Sequence, residues 1–167
     1  MNKGWTWLSL NVEIADMSLG SVFGDLSNPF VNDDYIKGQF EFSQYYAGYG
    51  FYGTLNTIRT DTMYKVKKAS SAALTFAGEP TALPKAFTIS AGWNYVPCPH
   101  QRSVALGEGL PSHSWVSGDT MKSQMQFATY YEGFGWFGQL SSLDPGQGYK
   151  MKVASSGSAP FPYLPPP

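Results

Sequence analysis

The chain has 167 residues, 43% of them hydrophobic and 16% aromatic, against only 14% charged, with a net charge of −1. This supports a real apolar core and supplies no basic field for a nucleic-acid partner. The single cysteine, Cys98, excludes an internal disulfide and a cysteine-rich metal site, and no apolar run reaches the length of a membrane span.

The first element in chain order is "TWLSLNVEI" (6–14), whose apolar–polar alternation predicts a half-buried strand. "SLGSVFGDL" (18–26) has a serine at a capping position and apolar residues three to four apart, which predicts one short helix. The stretch "YYAGYGFYG" (45–53) sets five aromatic side chains among three glycines and returns as "YYEGFGWFG" (130–138). "MQFATYY", "EGFG" and "WFGQL" (125–140) read as two strands joined at a glycine turn. In "DPGQG" (144–148) proline presets φ and glycine accepts a positive one, so a turn precedes the strand "YKMKV". The matching "RTDTM" (59–63) holds that place with weaker turn chemistry, and "ALTF" (73–76) corresponds to "SAPF" (158–161).

The recurrence is systematic. An offset of 85 residues aligns 34–80 with 119–165 without a gap, and 18 of the 47 pairs are identical. With small shifts, "GWTWLSLNV" (4–12) pairs with "GWNYVPCPH" (92–100), and "SLGSVFGDL" with "SVALGEGL" (103–110). An internal duplication of this kind predicts a mainly β fold of two tandem homologous β-rich units, sandwich- or barrel-like. Each unit would carry about one short helix, and a pseudo-two-fold axis would relate them. The units are expected over 1–81 and 82–159, followed by a docked proline-rich tail at 160–167. The copies differ at "ALPKAFTIS" (82–90), which precedes the second "GW" and has no counterpart before the first. If "KAFTIS" is a strand, the first copy presents an open edge, a liability unless it is covered.

In the aromatic–glycine hairpins, Tyr45, Tyr130 and alternate aromatics are candidates for the core, with glycines giving turns and close backbone approach. Alternation sends the remainder outward, and outward aromatics in a low-charge chain predict a face that binds protein or sugar. The outward candidates are Tyr46, Tyr49, Phe51 and Tyr52, with Tyr131, Phe134, Trp136 and Phe137 in the second copy. Of these, a charge placed at Phe51 or Trp136 is expected to leave the fold and dissolve the assembly. Lys37-x-Gln39 and Lys122-x-Gln124 also recur; the first expectation for them is a hydrogen bond to a neighbouring loop, the second a ligand contact.

Catalysis finds little footing. His100 and His113 lack a shared acid or cysteine motif, "CPH" (98–100) is too short for a zinc signature, and Asp33-Asp34 and Glu13/Asp16 read as turn and cap residues. P-loop, G-x-S-x-G and H-E-x-x-H motifs are absent. The sequence therefore predicts no catalytic, cofactor-binding or metal site. The halves are each nearly neutral, which favours close packing of identical molecules. In the tail, Phe161 takes the place of Phe76 and is expected to plug an equivalent pocket. Tyr163 and Leu164 are expected to rest in an apolar groove, on their own chain or a neighbour.

The pattern GW-aromatic, D-x-x-K-x-Q, F-x-x-YY-x-G-x-G-aromatic-aromatic-G, then GYK (MYK in the first copy), occurs twice in tandem. It resembles the repeated regions of algal pyrenoid-shell proteins of the diatom type. The resemblance rests on "GWTWLSLNV", "DYIKGQFEFSQYYAGYGFYG", "GWNYVPCP" and "GDTMKSQMQFATYYEGFGWFGQL" and covers nearly the whole chain from Gly4. It implies a non-catalytic protein that tiles a thin sheet around the Rubisco condensate in the plastid stroma and limits CO2 leakage. Self-association would be the main partnership, with Rubisco nearby, no nucleic acid and no membrane insertion. A duplicated chain offers similar patches on two sides, and contacts between unlike patches extend without closing. The alternative is an extracellular carbohydrate-binding or adhesion module in which Trp5, Trp7, Trp93 and Trp136 stack on sugar rings. A third reading is a purely structural pair of β-domains from a larger extracellular protein.

Overall fold

A computed structural model describes residues 1–164; the last three prolines of the expected tail lie outside the described residues. The first half runs β1 (Gly4–Leu8), β2 (Val12–Glu13), α1 (Leu19–Phe23), β3 (Tyr35–Lys37), β4 (Phe42–Tyr46), β5 (Gly50–Gly53), β6 (Tyr64–Lys68) and β7 (Glu79–Pro80). The second runs β8 (Lys85–Ile89), β9 (Gly92–Val96), β10 (Val104–Ala105), α2 (Leu106–Gly109), β11 (Thr120–Lys122), β12 (Phe127–Tyr131), β13 (Gly135–Gly138), β14 (Ser142–Leu143), β15 (Tyr149–Val153) and β16 (Gly157–Phe161). The fold is mainly β, built from antiparallel sheets with two short helices.

Two five-stranded sheets dominate. One has the order β1-β6-β3-β4-β5 and the other β9-β15-β11-β12-β13, so strands matched in sequence occupy matched places. Registers agree as well: Tyr45 pairs with Phe51 and Tyr130 with Trp136, while Lys37 pairs with Lys65 and Lys122 with Lys150. Each hairpin depends on a close approach at its last glycine. A Cβ on Gly53 would collide with the Phe42 carbonyl, and one on Gly138 with the Phe127 carbonyl.

One face of each sheet is apolar and closes over its own core. In the first half Ile36, Tyr64 and Val66 pack beneath Leu19, Val22 and Phe23 of α1 and the following Leu26 and Phe30. Ser18 caps α1, its hydroxyl accepting from the Ser21 amide at 3.3 Å, as the sequence suggested. In the second half Met121, Tyr149 and Met151 pack with Leu106 and Leu110, and with Phe87, Ile89 and Phe161 of the β8–β16 ribbon. In each half the tyrosine opening the long strand (Tyr64 or Tyr149) accepts a backbone N–H through its hydroxyl, from Arg59 at 2.8 Å or from Asp144 at 2.7 Å. Burial raises both phenols, Tyr64 to about 12.

The copies part where the sequence does. "KAFTIS" forms β8, which pairs with β16 along its whole length. The matching stretch of the first half, 72–76, forms no ladder. Ala72 exchanges backbone bonds with Met1 at 2.7 and 3.0 Å, and Ala73 bonds Ser27. Phe161 is accordingly 1% exposed against Phe87 and His100, whereas Phe76 is only half-buried against its core. The tail therefore begins inside a strand, and Tyr163 and Leu164 lie along a groove with Leu83, His100 and Val104 on their own chain.

Candidate functional site

Residues directly opposed across an antiparallel pair share a face. Tyr45 and Phe51 pack against the first core and Trp136 against the second, so the opposed Tyr130 shares the inner face with Trp136. Phe51 meets Phe30 at 4.9 Å and Tyr45 at 5.1 Å between ring centroids, and Trp136 meets Trp115 at 5.1 Å and Tyr130 at 5.5 Å. Both are half-buried on the inner faces, which corrects the outward orientation expected for them and removes Trp136 from any sugar-stacking set. Each lies an even six residues after its tyrosine, so alternation itself keeps the pair on one face. Tyr52 and Phe137 carry the outward role at 56% and 54% exposure.

The outer faces present matched aromatic groups. Tyr46 packs edge-on to Tyr52 at 5.8 Å, and Tyr131 to Phe137 at 6.0 Å. Phe42 and Phe127 lie exposed at the start of the same strands. At the hairpin tips Tyr49 and Phe134 stand 79% and 80% exposed, too much for a packed role. Their turns are fixed by matched bonds: Tyr49 N–H to the Tyr46 carbonyl and Phe134 N–H to the Tyr131 carbonyl, each at 3.0 Å. Asn32 accepts from Ala47 N–H at 2.6 Å and Ser117 from Glu132 N–H at 2.9 Å, so each exposed ring sits on a braced turn.

The repeated lysine-x-glutamine pairs do separate jobs. Gln39 leaves a tight turn, closed by a Gly38 N–H to Glu41 carbonyl bond, and spans the edge of β9. It donates to the Trp93 carbonyl at 2.7 Å and accepts from Tyr95 N–H at 2.8 Å. Gln124 does the same to β1, donating to the Trp5 carbonyl at 2.6 Å and accepting from Trp7 N–H at 3.0 Å. Each half thus satisfies the exposed strand edge of the other, a contact to a strand where a loop was expected. The residue after each glutamine, Phe40 or Met125, points into solvent at 90% and 86% exposure. Neither was among the sequence-predicted site residues. The available signal was an apolar residue at the tip of a polar turn in both copies.

The seam between β1 and β9 is crowded with cations. Lys65 lies over the Trp7 ring at 4.8 Å and the Tyr95 ring at 5.7 Å. Lys150 lies over Tyr95 at 5.2 Å, Trp7 at 5.4 Å and Trp93 at 5.9 Å, and Lys122 over Trp93 at 5.7 Å. Burial and the neighbouring Lys150 and Lys37 lower the Lys65 amine to about 8. Lys65 and Lys150 were not singled out from sequence, because isolated lysines read as solvated surface.

Cys98 is fully buried, and burial lifts its thiol to about 12. His100 is 2% exposed, its Nε2 lies 2.9 Å from the Gly109 carbonyl, and burial lowers its pKa. Both are packed residues. Among the described residues no group of three His, Cys, Asp or Glu side chains is placed to hold a metal ion, and no helix is long and apolar enough to cross a membrane. No protein-family model, curated protein or solved structure matches the chain.

Proposed function

We propose that the chain is a non-catalytic structural protein that assembles into a sheet-like lattice through two matched aromatic patches. The observation that carries this reading is the pairwise exposure of Phe40/Met125, Tyr49/Phe134 and Tyr52/Phe137 on braced turns and edge strands. Large exposed apolar groups are disfavoured on a free surface and mark a face that is covered in use. Two such patches, related by a pseudo-two-fold axis, let one molecule engage neighbours on two sides and extend. Together with the sequence resemblance, this supports a shell around a Rubisco-containing pyrenoid, in the plastid stroma. Electron microscopy of the purified chain tests it: sheets or tubes are expected, and dispersed single particles at high concentration would refute it.

A carbohydrate-binding role is favoured by one local feature. Trp5 and Tyr35 meet edge-on at 6.2 Å beside Gln44, Asp33 and Lys67, an aromatic corner with polar groups around a small concavity. The second half places Thr129 and Thr120 where Gln44 and Tyr35 stand, so the corner is not repeated. Saturable binding on a glycan array, lost in Trp5→Ala, would support this reading over the lattice.

A further inference from the structure

The outer face at the seam gathers like charges where ordinary sheet design separates them. Lys37 is directly opposite Lys65 across β3 and β6, and Lys122 directly opposite Lys150 across β11 and β15. Like charges in directly opposed positions repel. The seam then adds the two pairs together, since Lys65 and Lys150 both lie over the rings of Trp7 and Tyr95.

Carboxylates do not relieve this. The ion pairs among the described residues engage Arg59, Lys68 and Lys85, and none involves the four seam lysines. Partial burial removes water that would otherwise screen the charges, and the low Lys65 pKa reports the cost. The aromatic rings offer partial compensation, each attracting an ammonium to its face. They do not neutralise the cluster. A protein that holds several half-buried cations together without acids has the makings of an anion site.

We propose that the seam between β1 and β9 binds a compact multivalent oxyanion, held by the ammonium groups of Lys65 and Lys150 above the Trp7 and Tyr95 rings and of Lys37 and Lys122 opposite them in the neighbouring strands. A small ligand fits better than a polyanion, because the chain is nearly neutral overall and the cluster is confined to the seam. Lysine ammoniums with rotatable donors suit a tetrahedral or polycarboxylate anion of varied orientation. The site is independent of the lattice reading, since the aromatic patches lie on other strands and turns.

Inorganic phosphate is the probe, with sodium chloride at matched ionic strength as the control for screening. Wild-type protein is expected to show saturable heat on phosphate addition and a rise in Tm that chloride does not reproduce. The Lys65→Met/Lys150→Met variant is expected to bind phosphate about tenfold more weakly or worse. Without phosphate it should melt no lower than wild type, because repulsion has been removed. A second readout needs no variant. The ε-carbon resonance of Lys65, followed by NMR, should titrate at higher pH when phosphate is present. Equal responses to phosphate and chloride, or a variant that binds as wild type does, would overturn the proposal. So would a Lys65 titration that phosphate leaves unchanged.

Discussion

Met63 and Gly148 face each other between the two halves: a Cβ on Gly148 would stand 2.9 Å from the Met63 Cβ and 3.0 Å from the Leu8 backbone. The two positions are equivalents in the 85-residue offset, so the same site is filled by a long side chain in one half and by none in the other. Met63 is fully buried. Two methionines would collide there and two glycines would leave a void, so the copies have diverged into complementary shapes. Gly148→Ala is therefore expected to destabilise by about 1–3 kcal/mol through overpacking against backbone that has little room to move. Urea melts should show it. Gly148→Ala combined with Met63→Gly, which removes the Cβ that the new methyl would meet, should cost less than the two single losses added together.

The glutamine clamps make a second test. Gln39→Ala and Gln124→Ala each strip two hydrogen bonds from an edge strand of the other half, and each is expected to cost on the order of 1 kcal/mol. Hydrogen exchange separates this from a general loss. The Tyr95 amide should lose protection in Gln39→Ala, and the Trp7 amide in Gln124→Ala. Exchange unchanged at both amides would mean that the clamps do not hold the halves together.

Asp34 and Asp119 hold equivalent loops by the same bonds, accepting from the amides of Val31 and Ala69, and of Val116 and Ala154. Only Asp34 also meets a cation: Lys68 Nζ lies 2.9 Å from its carboxylate, 2.7 Å from the Pro29 carbonyl and 4.1 Å above the Phe30 ring, fully buried. Val153 stands at the matching place in the second half. Lys68→Val thus copies an arrangement the fold already tolerates, and its cost should be small. Asp34→Asn leaves the buried ammonium without its counter-charge and should cost about 3–5 kcal/mol. Thermal melts that rank the two variants the other way round would contradict this account.

The lowered Lys65 pKa gives a pH signature with a definite sign. Its folded value is about 8 against an ordinary 10.5. Between these values the unfolded chain binds more protons than the folded one, so the Lys65 contribution to stability rises with pH through that window. Cys98 and the buried tyrosines act in the opposite direction, because burial raises their pKa and the unfolded state ionises first. The clean observable is the difference between wild type and Lys65→Met. That difference should shift in favour of wild type as pH rises from about 8 to about 10.5, and a flat difference would exclude the effect.

Much of the fold could be read from residues alone, and the errors have physical causes. Alternation identified β1 and the hairpin strands, serine and spacing identified α1, and the repeat anticipated the matching places of Gln39 and Gln124. The outward expectation for Phe51 and Trp136 went against parity itself, because each lies six residues, an even number, after an inward-facing tyrosine. A three-residue loop at 47–49 pairs Tyr46 with Gly50, which puts Phe51 opposite Tyr45 on the inner face. Loop length, rather than composition, decides that register. The lysine cluster was invisible for another reason: its members lie in four strands, and only the folded seam brings them together.

That register decides which residues test assembly. Tyr52 lies beside Phe51 in β5, and Phe137 beside Trp136 in β13, yet the members of each pair face opposite sides of the sheet. Glutamate at Phe51 or Trp136 would bury an unpaired charge against Phe30 or Trp115 and should unfold that half. Glutamate at Tyr52 and Phe137 leaves the charge in water on the free molecule, so the monomer should keep its far-UV spectrum and a Tm within a few degrees of wild type. In a lattice the same charge would be buried against a neighbour, where removal of an aromatic anchor alone costs about 2 kcal/mol or more. Tyr52→Glu/Phe137→Glu should therefore sediment as a folded monomer at concentrations where wild type forms large species. One substitution alone should leave half of the contacts and give short oligomers. If the double variant assembles as wild type does, the outer aromatic faces are not the lattice contacts, whatever else they bind.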